Sequence, residues 1–90
     1  MASPCSHLLA LDTAHLKTAP QYVCPECVAQ GDHWVHLRVC QQCGHVGCCD
    51  QSKNKHATRH FHASQHPVVS SAEPGEYWVY CYPDQEFAEY

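Results

Sequence analysis

The sequence predicts a small α+β domain: a short mixed or antiparallel sheet with one principal helix, stabilised by bound metal rather than by a large apolar core. Three observations carry this. The chain has only 90 residues, yet it holds 8 Cys and 9 His. Its densest stretch, Cys40 to His66, reads C-Q-Q-C-G-H-V-G-C-C, then a polar run, then H-A-T-R-H-F-H-A-S-Q-H. The flanking segments alternate as strands do and are punctuated by Pro and Gly. A borderline-soft cation such as Zn²⁺ is held by thiolate and imidazole together, usually by four ligands in a tetrahedron. More donors lie in this stretch than one ion uses. At least two structural zinc ions are therefore expected, inside a single domain spanning residues 1–90.

Taken in order, the N-terminal residues carry Cys5 and His7, then an apolar stretch Leu8–Leu11 and a loop ending at Ala19-Pro20, with His15 at the surface. Cys24-Pro25-Glu26-Cys27 is the first Cys-x-x-Cys. Trp34 to Val39 alternates well enough for a strand, and it runs into the second pair, Cys40 and Cys43. Gly44 and Gly47 allow the tight backbone of a metal knuckle. Ser52 to Ala63 is helix-compatible, with Ser52 as N-cap and Pro67 beyond its end. His56 and His60 then stand at i and i+4, on one face. Val68-Val69-Ser70 reads as a short strand, Glu73-Pro74-Gly75-Glu76 as a turn, and Tyr77 to Tyr82 as an aromatic strand closing a hairpin. Glu86 to Tyr90 adds an edge strand or a helical turn.

Composition removes several function classes. Charged residues are 16% and the net charge is -4, so there is no basic excess for a nucleic-acid module. No apolar run approaches the ~18 residues of a membrane span. The start, M-A-S-P-C-S-H-L-L-A, lacks a basic region followed by a long apolar stretch, which predicts a reducing, cytoplasmic setting. Cys pairs with two residues between them, followed by histidines at ligand intervals, favour zinc over a disulfide framework. Catalysis fits poorly. A zinc deaminase needs a general-base Glu and Pro-Cys-x-x-Cys, whereas Pro25 here follows Cys24. Cys24-Pro25-Glu26-Cys27 also matches a redox Cys-Pro-x-Cys, but no βαβ pattern surrounds it. Sites filled by four protein ligands are structural, and no enzyme is expected.

The order Cys-x-His, Cys-x-x-Cys, Trp, Cys-x-x-Cys-Gly-His-Val-Gly-Cys, His-Ala-x-x-His, His-Pro and a late aromatic-Cys resembles the UBP-type zinc finger, in particular its short stand-alone bacterial versions. The resemblance runs from Cys5 to about Phe87. It implies three interleaved sites: Cys24, Cys27, Cys48 and His56; Cys40, Cys43, His60 and His66; and Cys5, His7 and Cys81, with Asp84 standing where the family has a fourth sulfur. Carboxylate oxygen is an acceptable zinc ligand. Outside these sets, Cys49 is expected as a buried free thiol, His45 as a hydrogen-bonding knuckle residue, His62 as pointing away, and His33 and His36 as strand surface.

The resemblance further implies protein or peptide binding, with the C-terminal Gly-Gly of ubiquitin entering an aromatic pocket in the ubiquitin-binding members. Trp34, Tyr80, Tyr82 and Phe87 fall near the pocket positions. The family's Cys-Gly-Arg is here Cys48-Cys49-Asp50. An acid repels an anionic tail, which argues against ubiquitin itself and leaves Arg38 or Lys53 to compensate. Bacterial hosts of such domains generally have no ubiquitin, so another protein or peptide is expected. The contrasting expectation is a thiol-redox or metal-handling protein that uses Cys49 and the spare histidines.

Overall fold

The architecture is set by a buried strand, β1 (Leu37–Cys40), which has neighbours on both sides. The computed structural model describes residues 6–12 and 14–90. Two short helices, α1 (Ser6–Leu9) and α2 (Pro25–Gln30), precede β1. After it come β2 (Val46–Cys48), the longest helix α3 (His56–Ser64), β3 (Val68–Ser71), β4 (Trp78–Cys81) and β5 (Glu86–Glu89). The strands form one sheet in the order β2-β1-β3-β4-β5, antiparallel at every pairing. The α+β class therefore holds, and the sheet is antiparallel rather than mixed.

The hairpins follow local chemistry. Gly44, at φ 83°, takes the left-handed turn between β1 and β2, and its N–H donates to Cys40 O at 2.8 Å. Gly75, at φ 80°, does the same for the Pro74-Gly75 turn between β3 and β4. Register then places Cys40, Val69, Tyr80 and Phe87 in one row across four strands. Residues along a strand alternate faces, so Val39, Ser70, Val79 and Ala88 form the neighbouring row on the opposite face.

The core is small and sulfur-rich. One cluster joins Cys24, Cys27, Leu37, Val39, Val46 and Cys48, with Trp34 packed against it. A second, beneath α1, joins Leu8, Val68, Val79 and Cys81. Cysteines fill core positions that Leu or Ile would take in a larger domain, as expected of a chain too short to depend on apolar burial alone.

Several element boundaries differ from the sequence reading. β1 begins at Leu37 rather than Trp34, because Val35 N–H is taken by Ser52 Oγ at 2.8 Å and Trp34 is drawn to the cysteine core. The principal helix begins at His56 rather than Ser52. Ser52 is buried and bonded to Val35, so it is not available as a cap, and the residue before the helix is Lys55 in the left-handed region at φ 50°. α3 ends at Ser64, and Gln65 closes it at φ 62°, before Pro67 is reached. α2 was not foreseen. Pro25, with its preset φ, opens it immediately after Cys24, and Gly31 at φ 74° closes it. Glu86 to Glu89 takes the strand alternative, at the sheet edge.

Candidate metal centres and an adjoining aromatic pocket

The first group of donors is built by three elements. Cys24 is the N-cap of α2 and Cys27 lies within its first turn, so the helix presents both sulfurs together. Cys48 ends β2 and His56 opens α3. These last two are neighbours because Gly47 lets the helix rest directly on the strand: a Cβ there would lie 2.6 Å from the backbone N of Ala57. His56 Nδ1 lies 3.3, 3.4 and 3.5 Å from the sulfurs of Cys24, Cys27 and Cys48, and Cys27 and Cys48 are 3.8 Å apart. All four residues are buried.

The second group combines the β1–β2 knuckle with α3. Cys43 Sγ lies 3.3 Å from His60 Nε2, and Cys40 Sγ lies 3.5 Å from His66 Nδ1. Local sequence steers His66 back towards α3. Ser64 Oγ donates to His60 O at 2.6 Å and accepts from His66 N–H at 3.2 Å, bending the chain just after the helix. His56 and His60 thus share a helix yet belong to different groups. The third group joins His7 of α1 with Cys81 and Asp84, at separations of 3.2 to 3.5 Å. Cys5, expected there as well, lies outside the described residues.

These donor sets fit zinc. Tetrahedral Zn²⁺ with Zn–S near 2.3 Å and Zn–N or Zn–O near 2.0 Å puts its ligand atoms about 3.3–3.8 Å apart. Within each group all donor atoms lie within 4.8 Å of one another. The electrostatics point the same way. Burial pushes the Cys27 and Cys40 thiols up, so closely packed sulfurs need a cation to hold them as thiolates. Burial, then the neighbouring His45 and His66, pulls His60 down and so favours its neutral form, the form in which imidazole binds a metal. His56 N–H donates to Cys48 Sγ at 3.2 Å, and the Asn54 amide donates to Cys27 Sγ at 3.6 Å.

Outside the groups, Glu26 links the first two. One carboxylate oxygen meets His45 Nε2 at 2.7 Å, and the other faces His56 Nε2 at 3.9 Å. The His45 ring is stacked on His60, with centroids 4.2 Å apart. Cys49 is buried beside Ser52 and His36 and stands outside all three groups. His62 is exposed and also stands apart, as does the exposed His33. His33 and His36 precede β1, so neither is a strand residue.

A cavity of about 420 Å³ opens between α3 and the sheet face that carries Val69, Tyr80 and Phe87. Trp78, Tyr80, Tyr82 and Phe87 supply its aromatic walls, and Thr58, Asp50 and Cys49 border it on the α3 side. Trp78 and Phe87 meet edge to face at 6.5 Å, and Tyr80 and Tyr82 at 5.2 Å. Tyr82 also stacks on Phe61 of α3 at 4.7 Å, fixing that wall. Burial pushes its phenol up, so Tyr82 stays neutral. The Arg38 guanidinium lies over the Trp78 ring, 4.5 Å from its centroid. Trp78 is held in turn by Glu76, which accepts from the indole N–H at 3.2 Å and from Ser71 Oγ at 2.6 Å.

Of the four aromatics expected at a pocket, Tyr80, Tyr82 and Phe87 line it and Trp34 does not. Trp78 takes the place that Trp34 was expected to fill. Trp78 alternates with Tyr80 along β4, with Tyr82 just beyond the strand's end, and that spacing is the sequence signal for it. Arg38 belongs with them for the same reason, since it alternates with the buried Leu37 and Val39.

A small antiparallel sheet, one longer helix and interleaved Cys/His groups define a zinc-finger domain of the α+β kind. The chain belongs to the zf-UBP family, described as a Zn-finger in ubiquitin-hydrolases and other protein, whose model matches residues 24–90. Ubiquitin carboxyl-terminal hydrolase 44 of Ailuropoda melanoleuca is 35% identical over 81 residues, covering 87% of this chain and 10% of that protein. NAD-dependent deacetylase sir2A of Dictyostelium discoideum is 32% identical over 57 residues, covering 63% of this chain and 10% of that protein. This chain thus spans about a tenth of the length of these curated relatives. A protein of Rhodopseudomonas palustris solved by solution NMR is similar over 99% of this chain and 84% of its own, with TM-score 0.82 and 45% identity. Among the described residues no helix is long and apolar enough to cross a membrane.

Proposed function

We propose that residues 1–90 form one non-catalytic interaction domain that binds the C-terminal tail of a protein or peptide beside structural zinc ions. Cys24, Cys27, Cys48 and His56 would hold one ion, and Cys40, Cys43, His60 and His66 a second. His7, Cys81 and Asp84 would hold a third, with Cys5 as the remaining donor. Bound zinc would cross-link segments far apart in sequence. Its apparent contribution of about 10–16 kcal/mol per site at neutral pH is comparable with the whole stability of a domain. Family membership supports ubiquitin or peptide binding in general. The observation that carries the tail reading is the aromatic pocket with a cation at its wall. Small backbones fit between ring faces, and a guanidinium suits a carboxylate.

Native mass spectrometry of the zinc-loaded chain, followed by titration with a peptide ending in Gly-Gly, tests both parts. Three zinc ions are expected, falling to two in Asp84→Ala. A wild-type count of two would remove the third site. Binding of the free-acid peptide, weaker for its C-terminal amide, is expected. Equal behaviour of acid and amide, or no binding at millimolar peptide, would overturn the tail reading.

A further inference from the structure

Resting on that pocket reading, we propose that Arg38 is the carboxylate receptor of the pocket and that Asp50 accepts the ligand's last amide N–H. The site would thereby select the terminal residue of a chain over an internal segment or a cation. A guanidinium carries five N–H donors in a rigid fork. Arg38 uses one of its nitrogens, Nη1, on its neighbour Leu37 O at 3.3 Å, and forms no ion pair among the described residues. The guanidinium lies 4.5 Å from the Trp78 ring centroid, which holds it at the pocket wall. A cation with uncommitted donors on an aromatic wall is suited to an anion.

Asp50 lies on the same cavity, but it forms no ion pair with Arg38. Its Oδ1 accepts from the Thr58 hydroxyl, and its second oxygen has no partner among the described residues. The pocket therefore offers a donor fork and a carboxylate acceptor that do not satisfy each other. A group carrying both a negative charge and an N–H complements this pair, and the last residue of a peptide carries both. A simple phosphate would meet Asp50 unfavourably. An ammonium ligand would be repelled by Arg38, which already lies over the Trp78 ring. At about 420 Å³ the cavity lies near the lower end of the usual ligand range, which favours terminal residues with small side chains.

The test is calorimetric titration of the zinc-loaded full chain with acetylated Ala-Gly-Gly as free acid, as C-terminal amide, and with its last amide N-methylated. Wild type is expected to favour the acid over the amide by about 10- to 100-fold, the range of a charge-assisted hydrogen bond. Arg38→Gln should erase that preference, and Arg38→Lys should keep part of it. N-methylation should weaken binding to wild type several-fold and to Asp50→Ala no further. Zinc content reports folding of each variant, and Arg38→Lys decides the matter if Arg38→Gln does not fold. Wild-type discrimination in Arg38→Gln, or none lost in Arg38→Lys, would overturn the Arg38 assignment while leaving the tail reading intact. N-methylation costing Asp50→Ala as much as wild type would overturn the role of Asp50. Acid and amide binding alike to wild type would overturn both the tail reading and this proposal.

Discussion

Gly47→Ala probes how the sheet holds α3 at the first candidate metal centre. The new Cβ would lie 2.6 Å from Ala57 N, 2.9 Å from Ala57 Cα and 3.0 Å from the His56 carbonyl carbon. All three are backbone atoms, so no side-chain rotation relieves the contact. Ordinary contact begins at 3.4 Å, and the first turn of α3 must back away from β2 by most of an ångström. His56 lies in that turn, and a zinc shell tolerates only about ±0.2 Å in its ligand distances. Overpacking alone costs about 1–3 kcal/mol. The displaced imidazole should also weaken the Cys24, Cys27, Cys48 and His56 centre, by at least about tenfold on the usual sensitivity of zinc ligation. Urea unfolding in excess zinc reads the first effect, and competition with a chromogenic chelator reads the second. Gly31→Ala is the comparison: its Cβ meets nothing within 4 Å, so only the left-handed φ of 74° opposes it, at about 1–2 kcal/mol, with zinc retention unchanged. If Gly47→Ala kept both wild-type zinc affinity and the wild-type midpoint, the close packing of α3 on β2 would not be what positions His56.

Two further outcomes are expected. Glu26→Gln removes the charge that faces His56 Nε2 and binds His45, and chelator competition should show about tenfold weaker zinc. An unchanged affinity would make Glu26 a surface residue only. Acidification should destabilise the protein. His60 is held below its ordinary value of 6.5, so between that pH and its folded value the unfolded chain binds the extra proton and stability drops as pH falls. Zinc release follows the same direction, because its ligands must be deprotonated. A stability that stays flat or rises from pH 7.5 to pH 5 would contradict this sign.

The chemistry of this protein is legible in its sequence because metal donors cannot be disguised. Cys-x-x-Cys spacing, the histidines after it and the Pro-Gly turn are local signals, and local signals survive without a structure. The alternation of Tyr77 to Tyr82 likewise announces β4 and its pairing with β3. Tertiary structure decided the rest. Ser52 looks like a helix cap in sequence, but its hydroxyl is claimed by Val35, 17 residues away, and the helix waits until His56. Trp34 and Trp78 are equally good aromatics on paper. Packing sends one into the cysteine core and register sends the other to the pocket, together with Arg38. Residue identity fixes what a side chain can bind, whereas long-range pairing and packing fix what it meets.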